Sequence, residues 1–160
     1  MRVDRLMAAD PAAVHPEANV RDAIGQMRSH ACGFLPVVDG GGHVIGILTD
    51  RDVALFLGGD DVRPSDRAVA DVMTPNPCTC RADETAQQAL SRMRDARVRR
   101  LPVVDNEGRL VGAISIDDLV LVAQNVRAGT DRVSFEQVFE AVKALSERSV
   151  GARPAARQRA

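Results

Sequence analysis

The chain has 160 residues and a formal net charge of −1, with Lys+Arg 21 against Asp+Glu 22; this length suits one compact domain or two half-size units sharing a core, and the charge balance argues against a general nucleic-acid binder. Four Phe with no Tyr or Trp predict an aliphatic core, in which a bound base meets Val, Ile, Leu or Met faces rather than an aromatic stack. No run approaches the length of a membrane span and no apolar signal region follows Met1, so a soluble, cytoplasmic protein away from membranes is expected.

In chain order, Val3-Asp4-Arg5-Leu6-Met7 is a short apolar-ended segment, and a short strand is predicted near Ala13-Val14. Asn19 with Asp22 three residues on resembles a capping box, and Ala23, Ile24 and Met27 give the apolar stripe of the helix it would start. Leu35-Pro36-Val37-Val38 predicts a strand whose proline lacks a backbone donor and suits an edge or first-residue position. Asp39-Gly40-Gly41-Gly42 reads as a hairpin turn into Val44-Ile45-Gly46-Ile47-Leu48, and a helix over Arg51 to Leu57 follows directly. Gly58-Gly59-Asp60-Asp61 stops this unit, and the polar connection that follows contains Pro64.

Sliding the chain by 66 positions then superimposes Val3 to Val53 on Val69 to Leu119 without a gap. Turns and apolar phases coincide, with Met7/Met73, Pro36/Pro102, Gly46/Gly112 and Asp52/Asp118 among the identical pairs. Each copy reads β-α-β-β-α, a small sheet with helices on one face, and two such copies bury together what neither buries alone. The expected division is residues 1–60 as the first unit, 61–68 as a connection, 69–126 as the second unit, 127–148 as a C-terminal helical segment and 149–160 as a disordered tail. In the helical segment, Ser134 to about Glu147 is amphipathic, with Phe135, Val138, Phe139, Val142 and Leu145 in one apolar stripe. It could pack on its own module, on a second chain or on another protein.

Chemistry concentrates where the third strand of each copy meets its helix. Thr49 and Asp52, repeated as Ser115 and Asp118, place a hydroxyl and a carboxylate three residues apart at a helix start, behind Gly46 or Gly112, which admit another backbone or a ligand to the strand. Two readings stand side by side. The pairs are ordinary capping boxes that satisfy backbone donors, or they are a rim on which a carboxylate grips a ribose while the hydroxyl and backbone amides meet a phosphate. The second role competes with the first for the carboxylate's hydrogen-bonding capacity.

Cys32, Cys78 and Cys80 make no disulfide framework, and with His15, His30 and His43 they give no four-ligand zinc spacing, so no metal site is expected. Catalysis is not expected either. Neither Thr49 nor Ser115 has a histidine in a repeated position, His15 is replaced by Arg81 in the second copy, and no phosphate-binding loop of the Walker type is present.

The repeated pattern of Leu-Pro-Val-Val-Asp, a Gly-ended turn and Gly-x-x-Thr/Ser-x-x-Asp resembles the cystathionine beta-synthase (CBS) domain, here as the tandem pair called a Bateman module. The resemblance implies two small sheets packed with pseudo-twofold symmetry, usually joined to a second chain in a homodimer. It implies clefts between the repeats that take AMP, ADP, ATP, NAD or S-adenosylmethionine, with no required cofactor. It carries the ribose carboxylate to Asp52 and Asp118, and the phosphate-side hydroxyl to Thr49 and Ser115. Ala13 and Val14, or Thr79 and Cys80, would line the base, while Gly33, Phe34 and Pro36, or Arg99, Arg100 and Pro102, would border the cleft.

The copies are unequal. Arg97, Arg99 and Arg100 replace Ala31, Gly33 and Phe34, so the second copy is expected to favour an anionic ligand, with Arg51 as the cation of the first and Phe34 available to fill that cleft. The leading expectation is a sensor or regulatory module whose target is another protein, not identified by the sequence. The alternatives are a ligand-free dimeric protein-interaction module and a small nucleotide-processing enzyme. Three arginines in the tail, Arg153, Arg157 and Arg159, are too few for a nucleic-acid function.

Overall fold

A computed structural model of the chain describes residues 1–59, 62–124 and 132–151, with side chains to residue 147. Gly129, Asp60 and Asp61 lie outside the described residues, as does the expected tail from 152 onward.

The first copy supplies β1 (Ala8–Ala9), α1 (Val20–Ser29), β2 (Phe34–Val38), β3 (Val44–Thr49) and α2 (Asp50–Gly59). The second supplies β4 (Thr74–Pro75), β5 (Cys80–Arg81), α3 (Ala86–Ala96), β6 (Arg100–Val104), β7 (Leu110–Ser115) and α4 (Ile116–Val122), and α5 (Phe135–Gly151) follows. The capping signals place the helices. Thr85 and Gln88 close a full capping box on α3, whereas Asn19 accepts the Asp22 N–H at 2.9 Å and returns its side-chain amide to the Asp22 carboxylate. Near Ala13-Val14 the expected strand reduces to a single parallel bridge between Val14 and Val37, and its counterpart is Cys80–Arg81.

The covalent repeat and the packed unit are different objects. β1 of the first copy pairs antiparallel with β7 of the second, and β4 of the second pairs with β3 of the first, giving sheets ordered β1-β7-β6-β5 and β2-β3-β4. Val3 is completely buried in the second core beside Ala89, Met93 and Leu101, and Val69 is buried in the first beside Val20, Ala23 and Leu35. The exchange is hydrogen-bonded in matching places: Val3 N–H donates to the Glu84 carbonyl at 2.9 Å, and Val69 N–H to the Ala18 carbonyl at 2.8 Å.

This exchange explains Gly46 and Gly112. A Cβ on Gly46 would stand 2.5 Å from Met73 Sδ and 3.2 Å from the Thr74 carbonyl, and on Gly112 it would meet Met7 Sδ and the Ala8 carbonyl. The close approach is therefore that of the other copy's leading segment. The hairpin tips meet on the pseudo-twofold axis, where His43 bridges Arg109, Val44 N–H donates to the Gly108 carbonyl and Leu110 N–H to the Gly42 carbonyl.

Pro36 sits on β2, an end strand of its sheet, as an edge proline does, whereas Pro102 sits on β6 between β7 and β5; neither opens its strand, each being the third residue of five. The Pro36 carbonyl accepts the Val14 N–H at 3.0 Å, so the missing donor faces the side where the neighbouring chain contributes only one bridge, and the ladder with β3 loses nothing.

The cores are aliphatic, with Phe34 and Phe56 buried at their margins. Helix α5 packs on α3 and α4 through Val138, Ala141 and Leu145, but Phe135 and Phe139 are 57% and 66% exposed. The stripe expected as one face is too wide for one contact, because Phe139 is turned by roughly 100° from Val138 around the helix. The helix also runs through Gly151, three residues into the expected tail.

Candidate functional site

Two clefts lie between the repeats, and each draws on both. Cleft one, about 400 Å³, is bounded by β1 and Asp10–Ala12, by His30, Cys32 and Phe34 after α1, and by Arg100, Ala113, Ser115 and Asp118 of the second copy. Cleft two, about 250 Å³, is its pseudo-twofold counterpart, lined by Gly33, Phe34, Ile47, Thr49, Asp50 and Arg51 with Val98, Arg99 and Arg100.

In cleft one, Ser115 ends β7 and caps α4. Its hydroxyl accepts the Asp118 N–H at 3.3 Å, while Asp118 Oδ2 accepts both the Ser115 N–H at 2.7 Å and the hydroxyl at 2.6 Å. Cleft two repeats the arrangement: Asp52 Oδ2 accepts the Thr49 N–H at 2.9 Å and the hydroxyl at 2.6 Å. Capping thus occupies only one of the two oxygens of each carboxylate. Oδ2 holds the helix start, and Oδ1 has no hydrogen bond to a described residue in either copy.

Phe34 and Arg100, equivalent across the repeat, stand between the clefts and border both. Phe34 is 9% exposed, so its ring forms a wall shared by the two sites. Arg99, expected beside Ser115 and Asp118, instead lines cleft two with Thr49 and Arg51. Its backbone stays at its own helix start, where the Arg99 carbonyl accepts the Ile116 N–H at 2.9 Å. Among the described residues the side chains of Arg51, Arg99 and Arg100 have no ion-pair or hydrogen-bond partner, which leaves three guanidinium groups at cleft two. Its acid is Asp50, whose carboxylate lies on Gly33: a Cβ there would be 2.5 Å from Asp50 Oδ2. In the second copy Ile116 replaces Asp50 and Arg99 replaces Gly33, so this acid plug has no equivalent in cleft one.

Other expected site residues fall elsewhere. Val14, Pro36, Cys80 and Pro102 are buried within the two halves, and Ala13 and Thr79 are half-buried; none lines either cleft. Asp52 caps α2 beside Thr49 without lining cleft two. The apolar wall of cleft one comes from Pro11, Ala12 and Cys32 instead, two residues earlier than Ala13-Val14 on one side. Asp10, with φ +48, turns the chain there, and its equivalent Asn76 has φ +50. That left-handed turn was the signal available for finding this wall, since Asp and Asn are the side-chain types that tolerate it. Burial pushes the Cys80 thiol up to about 12, which removes it as a nucleophile or thiolate ligand. Among the described residues no three of His, Cys, Asp and Glu converge as a metal-ligating group, and no helix is long and apolar enough to cross a membrane.

Exchanged leading segments, two small sheets about a pseudo-twofold axis and clefts that open between the repeats define a tandem-repeat ligand-cleft module. The chain belongs to the CBS domain family, whose model matches residues 3–59 and 69–125. The inosine-5'-monophosphate dehydrogenase of Methanocaldococcus jannaschii is 33% identical over 159 residues, covering 94% of this chain and 31% of that enzyme. The chain thus spans about a third of the length of that relative. The CBS domain pair of protein MJ0100, solved in complex with 5'-methylthioadenosine and S-adenosyl-L-methionine, is similar with a TM-score of 0.68 and 26% identity over 76% of this chain and 94% of that one. CBSX2 of Arabidopsis thaliana, solved in complex with AMP, gives 0.66 and 27% over 75% and 93%.

Proposed function

We propose that the protein is a regulatory module that binds an adenine nucleotide or a related adenosyl ligand in cleft one, with no catalytic step. The observation that carries this reading is Asp118: one oxygen fixes α4, and the other has no partner among the described residues, at the rim of a cleft of about 400 Å³. That volume is in the range of small-molecule sites. A ribose diol donates to Asp118 Oδ1, the base lies on the aliphatic wall of Ala12, Cys32 and Ala113, and Arg100 at the mouth receives a phosphate. AMP in CBSX2, and S-adenosylmethionine with methylthioadenosine in MJ0100, support the adenosyl class.

Cleft two is smaller and is plugged by Asp50, so it binds an adenosyl group more weakly. Its three arginines favour the phosphate tail of a longer nucleotide reaching past Arg100. Regulation follows if a bound ligand prefers one relative placement of the repeats, because a ligand shifts an equilibrium only by its difference in affinity for the two states.

Isothermal calorimetry with AMP, ADP, ATP, NAD and S-adenosylmethionine tests the reading. At least one is expected to bind wild type, and Asp118→Ala is expected to weaken it more than Asp52→Ala. No heat and no thermal stabilisation with all five replaces the sensor by a ligand-free interaction module.

A further inference from the structure

A third hollow lies apart from both clefts, where the leading segment of the first copy meets the end of α4. It encloses about 660 Å³ and is lined by Met1, Arg2, Arg5, Leu6, Val122 and Arg132, a volume within the range of small-molecule sites. Met1, Leu6 and Val122 supply apolar surface, and three guanidinium groups stand around it with no acidic side chain in the lining. Arg2 is held by Asp4 at 2.8 Å and Arg132 by Gln124 at 2.7 Å, whereas the Arg5 side chain is exposed and has no partner among the described residues.

The first half of the molecule shows what such a place holds when it is filled. At the 66-residue offset, Val122 corresponds to Phe56, Met1 to Arg67, Arg5 to Asp71 and Leu6 to Val72. Phe56 is only 8% exposed, the Arg67 guanidinium lies 5.9 Å from the centre of its ring, and the Asp71 carboxylate lies 3.7 Å from that guanidinium. Ring, cation and carboxylate thus stack in that order within the chain itself. In the second half the cations remain and the other two members are gone. Val122 replaces the ring and is only half-buried, and Arg5 stands where the carboxylate was. A lost aromatic ring and a lost carboxylate, beside a guanidinium in need of a partner, describe the two ends of one ligand.

We propose that this hollow binds a free aromatic carboxylate. The ring takes the place that Phe56 fills in the other half, against Met1, Leu6 and Val122, and the carboxylate pairs with Arg5, whose planar fork matches its two oxygens. Arg2 and Arg132 add positive potential at the rim. No residue of this site lines either cleft, so the proposal is independent of nucleotide binding.

The probe is 2-naphthoate at neutral pH, titrated into the full chain and followed by methyl NMR without nucleotide. Shifts are expected at Met1, Leu6 and Val122, and the neutral analogue 2-naphthalenemethanol should bind about tenfold more weakly, since it lacks the charge-assisted pair. Two variants copy the filled half: Val122→Phe occupies the place of the ring, and Arg5→Asp replaces the fork by an acid. Each should weaken naphthoate by about tenfold or more. Arg5 is exposed, so its variant still decides the question should the larger Val122→Phe fail to fold. Absence of shifts at millimolar naphthoate overturns the proposal, as do shifts confined to the Ala12 and Ala113 methyls of cleft one. Equal affinity for the acid and the alcohol, or undiminished binding to Arg5→Asp, overturns it as well.

Discussion

Asp118 Oδ2 accepts both the backbone N–H and the hydroxyl of Ser115, at 2.7 and 2.6 Å, while Oδ1, the proposed ribose acceptor, has no hydrogen-bond partner among the described residues. The two roles have separable signatures. Asp118→Ala and Asp52→Ala should each lower stability by about 1 kcal/mol through the lost cap. Only Asp118→Ala should also remove a charged hydrogen bond to ribose, about 1.5–3 kcal/mol or roughly ten- to a hundredfold in affinity. Parallel melts and calorimetry on the two variants check this, and equal losses of binding would overturn the special role of Asp118.

Val3 is fully buried in the half of the molecule built by the second copy. Val3→Ala is expected to destabilise by about 2 kcal/mol. The local signature should appear at a distance in sequence: hydrogen exchange speeds up in α3, around Ala89 and Met93, before it does in α1. Val69→Ala should reverse the pattern.

Gly112→Ala forces a methyl against Met7 Sδ and the Ala8 carbonyl. The thioether can swing away but the β1 backbone cannot, so a loss of about 1–3 kcal/mol is expected by chemical denaturation. Since Ala8 and Ala9 also line cleft one, the same variant should weaken nucleotide binding.

Cys32 lines cleft one, whereas Cys80 is 1% exposed with its thiol pushed up to about 12. At pH 8 a maleimide should therefore modify Cys32 in the native protein and Cys80 only after unfolding. Saturating AMP should slow the reaction at Cys32. Unchanged labelling in the presence of bound AMP would place the nucleotide outside cleft one.

Asp39 and Asp105 cap the two hairpins that meet on the pseudo-twofold axis. Backbone N–H groups of His43 and of Arg109, respectively, are the largest influence holding each carboxyl below its ordinary 3.8. A depressed folded value means that the contribution is fully present above about 3.8 and is lost as the pH falls through the folded value. Asp39→Asn with Asp105→Asn keeps the acceptor oxygen without the titration. Urea melts at pH 5 and pH 3 should therefore show a smaller acid loss in the double variant than in wild type.

The sequence alone determined the repeat, the order of elements within each copy, the helix starts at Asn19, Thr85, Ser115 and Ser134, and the family, because capping and apolar periodicity act within a few residues. It also placed the hydroxyl and carboxylate pairs at equivalent helix starts. Tertiary structure decided which residues share a cleft. The leading segments cross to the other copy, so Gly46 and Gly112 admit a backbone, and Arg99 lines the cleft of Thr49 rather than that of Ser115. Nothing in a 66-residue period distinguishes packing within a copy from packing between copies, since both leave the same apolar positions to be buried. That capping takes only one oxygen of Asp118 was likewise visible only in the geometry, because a capping box and a ligand rim are written with the same residues.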